Sequence, residues 1–534
     1  MAATIRLADA NDAARWLDLL KNTLGEQYPG KDVYNPVWIA SQLDASGGDE
    51  TWVAVEGGRI QASLTLLKSV EASVNPVINL GRNLFRPESY ADGAAELLLE
   101  KLNELVAQRG QMAVVRVPCA DNPQQILWEN AGYVCVGFQP FKHMIHSRQG
   151  FLFYVQCAKP ILATRTPFSE SLPHISELDT QALDALKIPN PMAIRDGATG
   201  YPLQTDVKVV DATVDDFELW RMQARGANPQ SEVSTGYNRG AGFLRMITEA
   251  PVRAYLGQRN GNIVCGLAFF VDDHDRCVRI VDAFSTDDIS IGALFQQCVR
   301  AAQEQFSAAY IEVDVLVSSP RLLKCTEQLG FVPIAYFPGF FAVNDRFTDV
   351  VKLVKLNTVY SMDSLPLTAS AATVVRIVDL SFQDQKVGVA IINLLRTLPI
   401  FEGLGDGELR KIARLFTQKL YRPGERVFNR GDAGVEAYIV MRGQVDICLN
   451  EESKPIATIN SGQIFGELAF LDGAARTAMA IAGQASILLV VQRSAFQELV
   501  QREPHLGMVV MRNIAVDLSS KLRKMNAGVN TPKK

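Results

Sequence analysis

The densest chemistry in this sequence lies between Ile464 and Ala478, which reads Ile-Phe-Gly-Glu-Leu-Ala-Phe-Leu-Asp-Gly-Ala-Ala-Arg-Thr-Ala. Gly466 precedes an acidic residue, Glu467, and Arg476 follows that glutamate nine positions later. Phosphate binding wants exposed backbone N–H groups at the start of a short helix. Leu468, Ala469 and Phe470 are placed to supply them, and Gly466 lets a ligand approach the backbone closely. Arg476 offers charge-assisted, bidentate hydrogen bonds to phosphate oxygens. Glu467 is an acceptor suited to a ribose hydroxyl. An anion cradle beside a hydroxyl acceptor describes a site for a nucleoside monophosphate.

The elements that must position this string form short strands with glycine turns. Segments 422–432, 434–449 and 454–466 have that character, 477–492 is more strand, and helices follow from Arg493 to Met525. A helix is expected over 405–420. A compact β-roll closed by C-terminal helices fits this order.

Upstream of the roll the chain repeats itself, a feature worth searching for first. Residues 51–70 alternate apolar and polar around Gly57-Gly58, and 252–273 do the same around Asn260-Gly261, so both read as hairpins. A helix follows each, from Gly93 and from Gly292. Next come a β-rich stretch, a helix and a glycine-aromatic pair, Gly132-Tyr133 and Gly330-Phe331. The helix-start glycines are 199 positions apart and the later ones 198, so the first 356 residues hold a tandem duplication. Between the copies, six prolines within 160–205 suit a connector. A second connector over 357–390 turns helix-like from residue 370.

Composition narrows the function. The 534 residues are 48% apolar and 21% charged, enough for several buried cores. Lys plus Arg is 53 against 58 for Asp plus Glu, a net charge of −5, which argues against broad electrostatic binding of nucleic acid. Five basic residues in the last fourteen read as a solvated tail. Eight scattered cysteines without a C-x-x-C pair point to a reducing, cytoplasmic setting. No signal peptide is visible, and no apolar run reaches the ~20 residues of a membrane helix.

Residues 395–525 resemble the cyclic nucleotide-binding domain family, on the strength of the Phe-Gly-Glu-Leu-Ala…Arg-Thr-Ala string and its Glu-to-Arg spacing. The resemblance implies that Glu467 meets the ribose 2′-hydroxyl, that Arg476 meets the cyclic phosphate, and that Gly466, Leu468 and Ala469 act through their backbone. Gly431-Asp432 and Gly443 fall where the family's β-roll turns do. Thr477 sits where some cGMP-selective members carry threonine, which leaves cAMP and cGMP both open. Ala475 departs from the proline that many members have. Too little chain follows the roll for the helix-turn-helix that many bacterial relatives add, so no DNA is expected as a partner by that route.

The two copies resemble the GCN5-related N-acetyltransferase (GNAT) fold, over 1–158 and 206–356. In that family a glycine-rich turn before the central helix holds the acyl-CoA pyrophosphate. The resemblance assigns that role to Pro87–Ala95, with Tyr90, Gly93 and Ala95 as the acyl-CoA residues. In the second copy, Ile289–Leu294 keeps only Gly292, and Leu294 adds bulk. The tyrosine that the family often uses as general acid is replaced by Trp128 and Thr326. Glu71, Asp282 and Asp287 are candidate bases, and no catalytic residue is assigned. His143 and His146 are read as packing or surface residues, with no metal. Asp272-Asp273-His274-Asp275 is expected to be a solvated turn.

The expected architecture is therefore α/β (α+β): GNAT-like copies at 1–158 and 206–356, connectors at 159–205 and 357–394, a cyclic nucleotide-binding domain at 395–525 and a basic tail at 526–534. The expected function is a cyclic-nucleotide-regulated N-acyltransferase using acetyl-CoA or another acyl-CoA on an amine or protein-lysine acceptor. The alternative is a non-enzymatic receptor whose degenerate copies form a ligand- or partner-binding scaffold. A homo-oligomer fits either.

Overall fold

The computed structural model describes residues 3–26, 28, 31–44, 49–67, 77–109, 112–145, 147–190, 192–195, 198–227, 233, 252–343, 346–358, 365–387, 389–450 and 454–529. Glu71 and His146 lie outside them. The chain divides into two compact units, Met1–Ser381 and Phe382–Lys534. Among the described residues no helix is long and apolar enough to cross a membrane, and no three His, Cys, Asp or Glu side chains group as metal ligands.

In the first unit, copy one runs β1 (Thr4–Leu7), α1 (Ala13–Leu24), α2 (Pro36–Leu43), β2 (Glu50–Glu56), β3 (Arg59–Leu67), β4 (Val77–Phe85), α3 (Ala94–Arg109), β5 (Met112–Pro118), α4 (Asn122–Asn130), β6 (Val134–Met144) and β7 (Arg148–Cys157). The connector folds into α5 (Lys159–Thr164), β8 (Glu170–Ser171), α6 (Ser176–Ala185) and β9 (Ala193–Ile194). Copy two runs β10 (Lys208–Ala212), α7 (Val214–Ala227), β11 (Val252–Arg259), β12 (Asn262–Asp272), β13 (Cys277–Ser285), α8 (Ile291–Glu304), β14 (Tyr310–Leu316), α9 (Pro320–Gln328), β15 (Val332–Val343) and β16 (Arg346–Leu356). Then α10 (Ala369–Val387) begins.

All but β8 and β9 join one 14-stranded sheet in the order β1-β2-β3-β4-β5-β7-β6-β15-β16-β14-β13-β12-β11-β10. Each half repeats one order, and within each half a single neighbouring pair is parallel, β4 with β5 and β13 with β14. The halves meet where Gly137 pairs with Ala335, and these two positions are themselves 198 apart. Equivalent residues thus face each other, as in an isologous contact between identical subunits. Glycine is required there, because a Cβ on Gly137 would come 2.2 Å from the Ala335 Cβ.

The seam between the halves is charged inside. The expected turn at 272–275 forms and Asp273 is exposed, but Asp272 and Asp275 are only 3% and 1% exposed, so these two carboxylates are not solvated as expected. His143 Nδ1 lies 2.6 Å from Asp275 Oδ2, and its Nε2 lies 2.7 Å from Arg116 Nη1. Burial lowers His143 to about 4, so the ring is neutral, with Nδ1–H donating to Asp275. Lys142, fully buried, donates to the Cys277 Sγ at 2.8 Å and lies 3.5 Å from Glu312, which also pairs with Arg279. Buried charges need such partners. Positions 132 or more apart in the chain contribute, so no local pattern announces them.

The second unit holds α11 (Val389–Thr397), α12 (Asp406–Ala413), β17 (Phe416–Tyr421), β18 (Arg426–Phe428), β19 (Glu436–Arg442), β20 (Gln444–Cys448), β21 (Ala457–Asn460), β22 (Ile464–Phe465), α13 (Glu467–Asp472), β23 (Met479–Ala482), β24 (Ser486–Gln492), α14 (Arg493–Arg502) and α15 (Pro504–Val529). Two four-stranded sheets, β17-β24-β19-β22 and β18-β23-β20-β21, form the roll. Tyr438, Val440, Val445, Phe465, Ala480, Leu488 and Val490 fill it. A second core joins α11, α12, α14 and α15 to the outer face of the roll through Leu395, Leu409, Phe470, Phe496, Leu506 and Val510. The helix expected over 405–420 stops at Ala413. Phe416–Tyr421 pairs with β24 instead, since tertiary pairing overrides local propensity.

Candidate functional site: an anion cradle in the β-roll

The string from Gly466 to Thr477 wraps one end of the roll. Gly466 takes φ +75°, a left-handed conformation that turns β22 into α13. The Phe470 N–H bonds the Gly466 carbonyl at 3.2 Å, so the N–H groups of Glu467, Leu468 and Ala469 have no carbonyl of their own helix to meet. Glu467 opens α13 and is half-buried, Leu468 is exposed, and Ala469 is buried beneath them. Thr477 is exposed immediately after Arg476.

Arg476 is pinned by its backbone, which accepts from the Gly431 N–H and donates to the Asp432 carbonyl, each at 2.8 Å. Its side chain is only 5% exposed and turns inward. Nη1 donates to the Gly466 carbonyl at 2.8 Å and Nη2 to the Glu436 carbonyl at 2.5 Å. The guanidinium lies 4.3 Å from the Phe428 ring centroid and 5.8 Å from that of Tyr438. Its Nε is buried without a partner. Burial lowers its pKa, as expected where a cation has lost water. A buried cation with a spare donor, beside the first turn of a helix, suits an anion, and this donor set fits a cyclic phosphate.

The structure brings Arg476 onto the Gly466 carbonyl beside Glu467, and it adds residues beneath the arginine that the sequence does not single out. Tyr438 stacks on Phe465 at 5.0 Å, and its hydroxyl donates to the Glu436 carboxylate. That carboxylate also takes Lys419 at 3.2 Å and Gln492 at 2.6 Å. Each strand carries a single aromatic residue, Phe428 on β18 and Tyr438 on β19, so no pattern in the sequence marked them.

The turn expected to hold a pyrophosphate, and its counterpart in the second copy, look different. Gly93 takes φ +80°, and an added Cβ would meet nothing within 4 Å. However, the Asp92 carboxylate already accepts from the Ala94 N–H at 2.9 Å, and Ala95 is fully buried. The Tyr90 hydroxyl lies 3.4 Å from Asp121 Oδ2, and burial raises its pKa further. In the second copy the Asp287 carboxylate takes the Ile289 and Ser290 N–H groups at 3.0 and 2.8 Å. A Cβ on Gly292 would stand 2.4 Å from the Pro202 carbonyl, so this glycine makes room for the connector. Val233 bridges to Val315 of β14. Trp128 and Thr326 are both fully buried, and Asp282 is paired with Arg221 at 2.7 Å.

Residues 418–503 match the family model of the cyclic nucleotide-binding domain. A 129-residue stretch is 32% identical to the cyclic AMP receptor protein of Thermus thermophilus, covering 24% of this chain and 58% of that one. Another, of 106 residues, is 32% identical to the cAMP-dependent protein kinase regulatory subunit of Yarrowia lipolytica, covering 20% and 28%. A third, of 115 residues, is 31% identical to the cGMP-dependent protein kinase egl-4 of Caenorhabditis briggsae, covering 21% and 15%. The chain spans less than two thirds of the length of each of these relatives. The second unit therefore carries a cyclic nucleotide-binding domain at 418–503.

Proposed function

We propose that this protein is a cyclic mononucleotide receptor in which Arg476 holds the cyclic phosphate and Glu467 accepts from the ribose 2′-hydroxyl. Gly466 and the Leu468 and Ala469 amides complete the anion contact. The observation that carries this is the buried Arg476 guanidinium with its unpaired Nε–H beside the first turn of α13. The names of the relatives include both cAMP and cGMP proteins, and either ligand suits the cradle. Calorimetry of the full chain with cAMP and cGMP tests the reading. Arg476→Ala should weaken binding about ten- to a hundredfold, the loss of a charge-assisted hydrogen bond worth ~1.5–3 kcal/mol. Equal affinity in both proteins would refute it.

The duplicated unit is best read as a GNAT-like scaffold with limits near 1–158 and 206–356, followed by a nucleotide-binding unit over 395–525. Support comes from the shared strand order with one parallel pair per copy. Carboxylates on both helix starts, and the connector against Gly292, favour a non-enzymatic receptor over an acyltransferase. An open Gly93 favours a second reading, in which copy one alone takes acetyl-CoA through Tyr90, Gly93 and Ala95. Acetyl-CoA titration separates the two: binding that Gly93→Leu abolishes supports the second reading, and no binding rejects it.

A further inference from the structure

Arg476 meets two kinds of neighbour, backbone carbonyls and an aromatic ring. The Gly466 and Glu436 carbonyls take in-plane hydrogens from Nη1 and Nη2. The guanidinium carbon lies over the Phe428 ring, 4.3 Å from its centroid. The Nε–H edge is left over, buried and unpaired. The two carbonyls belong to the backbone and are present whatever side chains surround them. Tyr438 stands further off and is tied to Glu436 through its hydroxyl. Phe428 is thus the side chain that decides how the guanidinium plane lies.

An aromatic face attracts a cation, most strongly where water is excluded, and it consumes none of the in-plane donors. An aliphatic side chain of similar volume would fill the same space without attracting the charge. Phe428 is itself fixed, paired through its backbone with Ala480 and packed 5.6 Å from Tyr438 and 6.0 Å from Phe465. We propose that Phe428 is a positioning residue of the nucleotide site, stacking on Arg476 so that its free edge faces the cyclic phosphate. The role rests on the nucleotide reading above.

The test is a double-mutant cycle in the full-length protein, by calorimetry with cAMP and cGMP and by competition for the weak variants. Phe428→Leu should bind about tenfold more weakly, while Phe428→Tyr, which restores the aromatic face, should return to within about threefold of wild type. In an Arg476→Ala background, Phe428→Leu should cost less than about twofold, because the group it orients is gone. A purely structural role would cost the same factor in both backgrounds and would overturn the proposal, as would wild-type affinity in Phe428→Leu. Circular dichroism checks that each variant folds, and the tyrosine variant keeps the question decidable if the leucine variant does not. A wild-type chain that bound neither nucleotide would remove the site itself. Binding that depended on Arg476 but was indifferent to Phe428 would remove only the positioning role.

Discussion

Gly466→Ala concentrates the physics of the cradle in one methyl group. The residue sits at φ +75°, where an L side chain costs about 1–2 kcal/mol. The added Cβ would stand 2.8 Å from Arg476 Nη1 and 3.4 Å from a ring carbon of Tyr438. Real Cβ contacts do not persist at the first distance, so the guanidinium must move and its bond to the Gly466 carbonyl must stretch or break. The variant should therefore lose stability by about 1–3 kcal/mol and nucleotide affinity by about ten- to a hundredfold, the value of one charge-assisted hydrogen bond. Gly462→Ala is the matched control. Its φ is +79°, yet a Cβ there meets nothing within 4 Å. It should pay the backbone strain and keep wild-type affinity. Scanning calorimetry reports the stability, and titration with cAMP and cGMP reports the binding. Equal affinity in wild type and Gly466→Ala, or equal losses in both variants, would refute the reasoning.

All five tryptophans (16, 38, 52, 128 and 220) lie in the first unit, so a change in tryptophan emission on adding cyclic nucleotide reports transmission out of the second. We expect such a change, and an unaltered spectrum at saturating ligand would reject coupling. His143 is neutral in the fold, its pKa lowered from 6.5 to about 4 by burial. The unfolded chain therefore binds the extra proton between those values, and stability is full above pH 6.5 and falls as pH drops toward 4, by about 3 kcal/mol. Unfolding followed by tryptophan fluorescence should show that slope flattened in His143→Gln, and an unchanged slope would remove His143 as its source. Gly137→Ala should destabilise the first unit by about 1–3 kcal/mol through overpacking against Ala335, and a wild-type melting temperature would contradict the close strand contact.

The chain alone determined whatever depends on near neighbours in sequence. Hairpin turns at Gly57-Gly58 and Asn260-Gly261, the repeat at an offset of 198 and the string from Gly466 to Arg476 were legible because each is a local pattern of turn chemistry, alternation or spacing. Tertiary structure decided the rest. The Phe416–Tyr421 segment is a strand because β24 lies beside it, although its local pattern continued a helix. Asp275 is buried because the end of β6, more than 130 positions earlier, brings His143 and the Met144 N–H against it. Gly292 resembles a phosphate-binding glycine, yet what approaches it is the chain's own Pro202 carbonyl. Phe428 stands 48 positions before the arginine it stacks on, and nothing in its own segment marks it. A polar or charged side chain is soluble or buried according to which partners fold against it, and that is settled by the packing of distant segments rather than by composition.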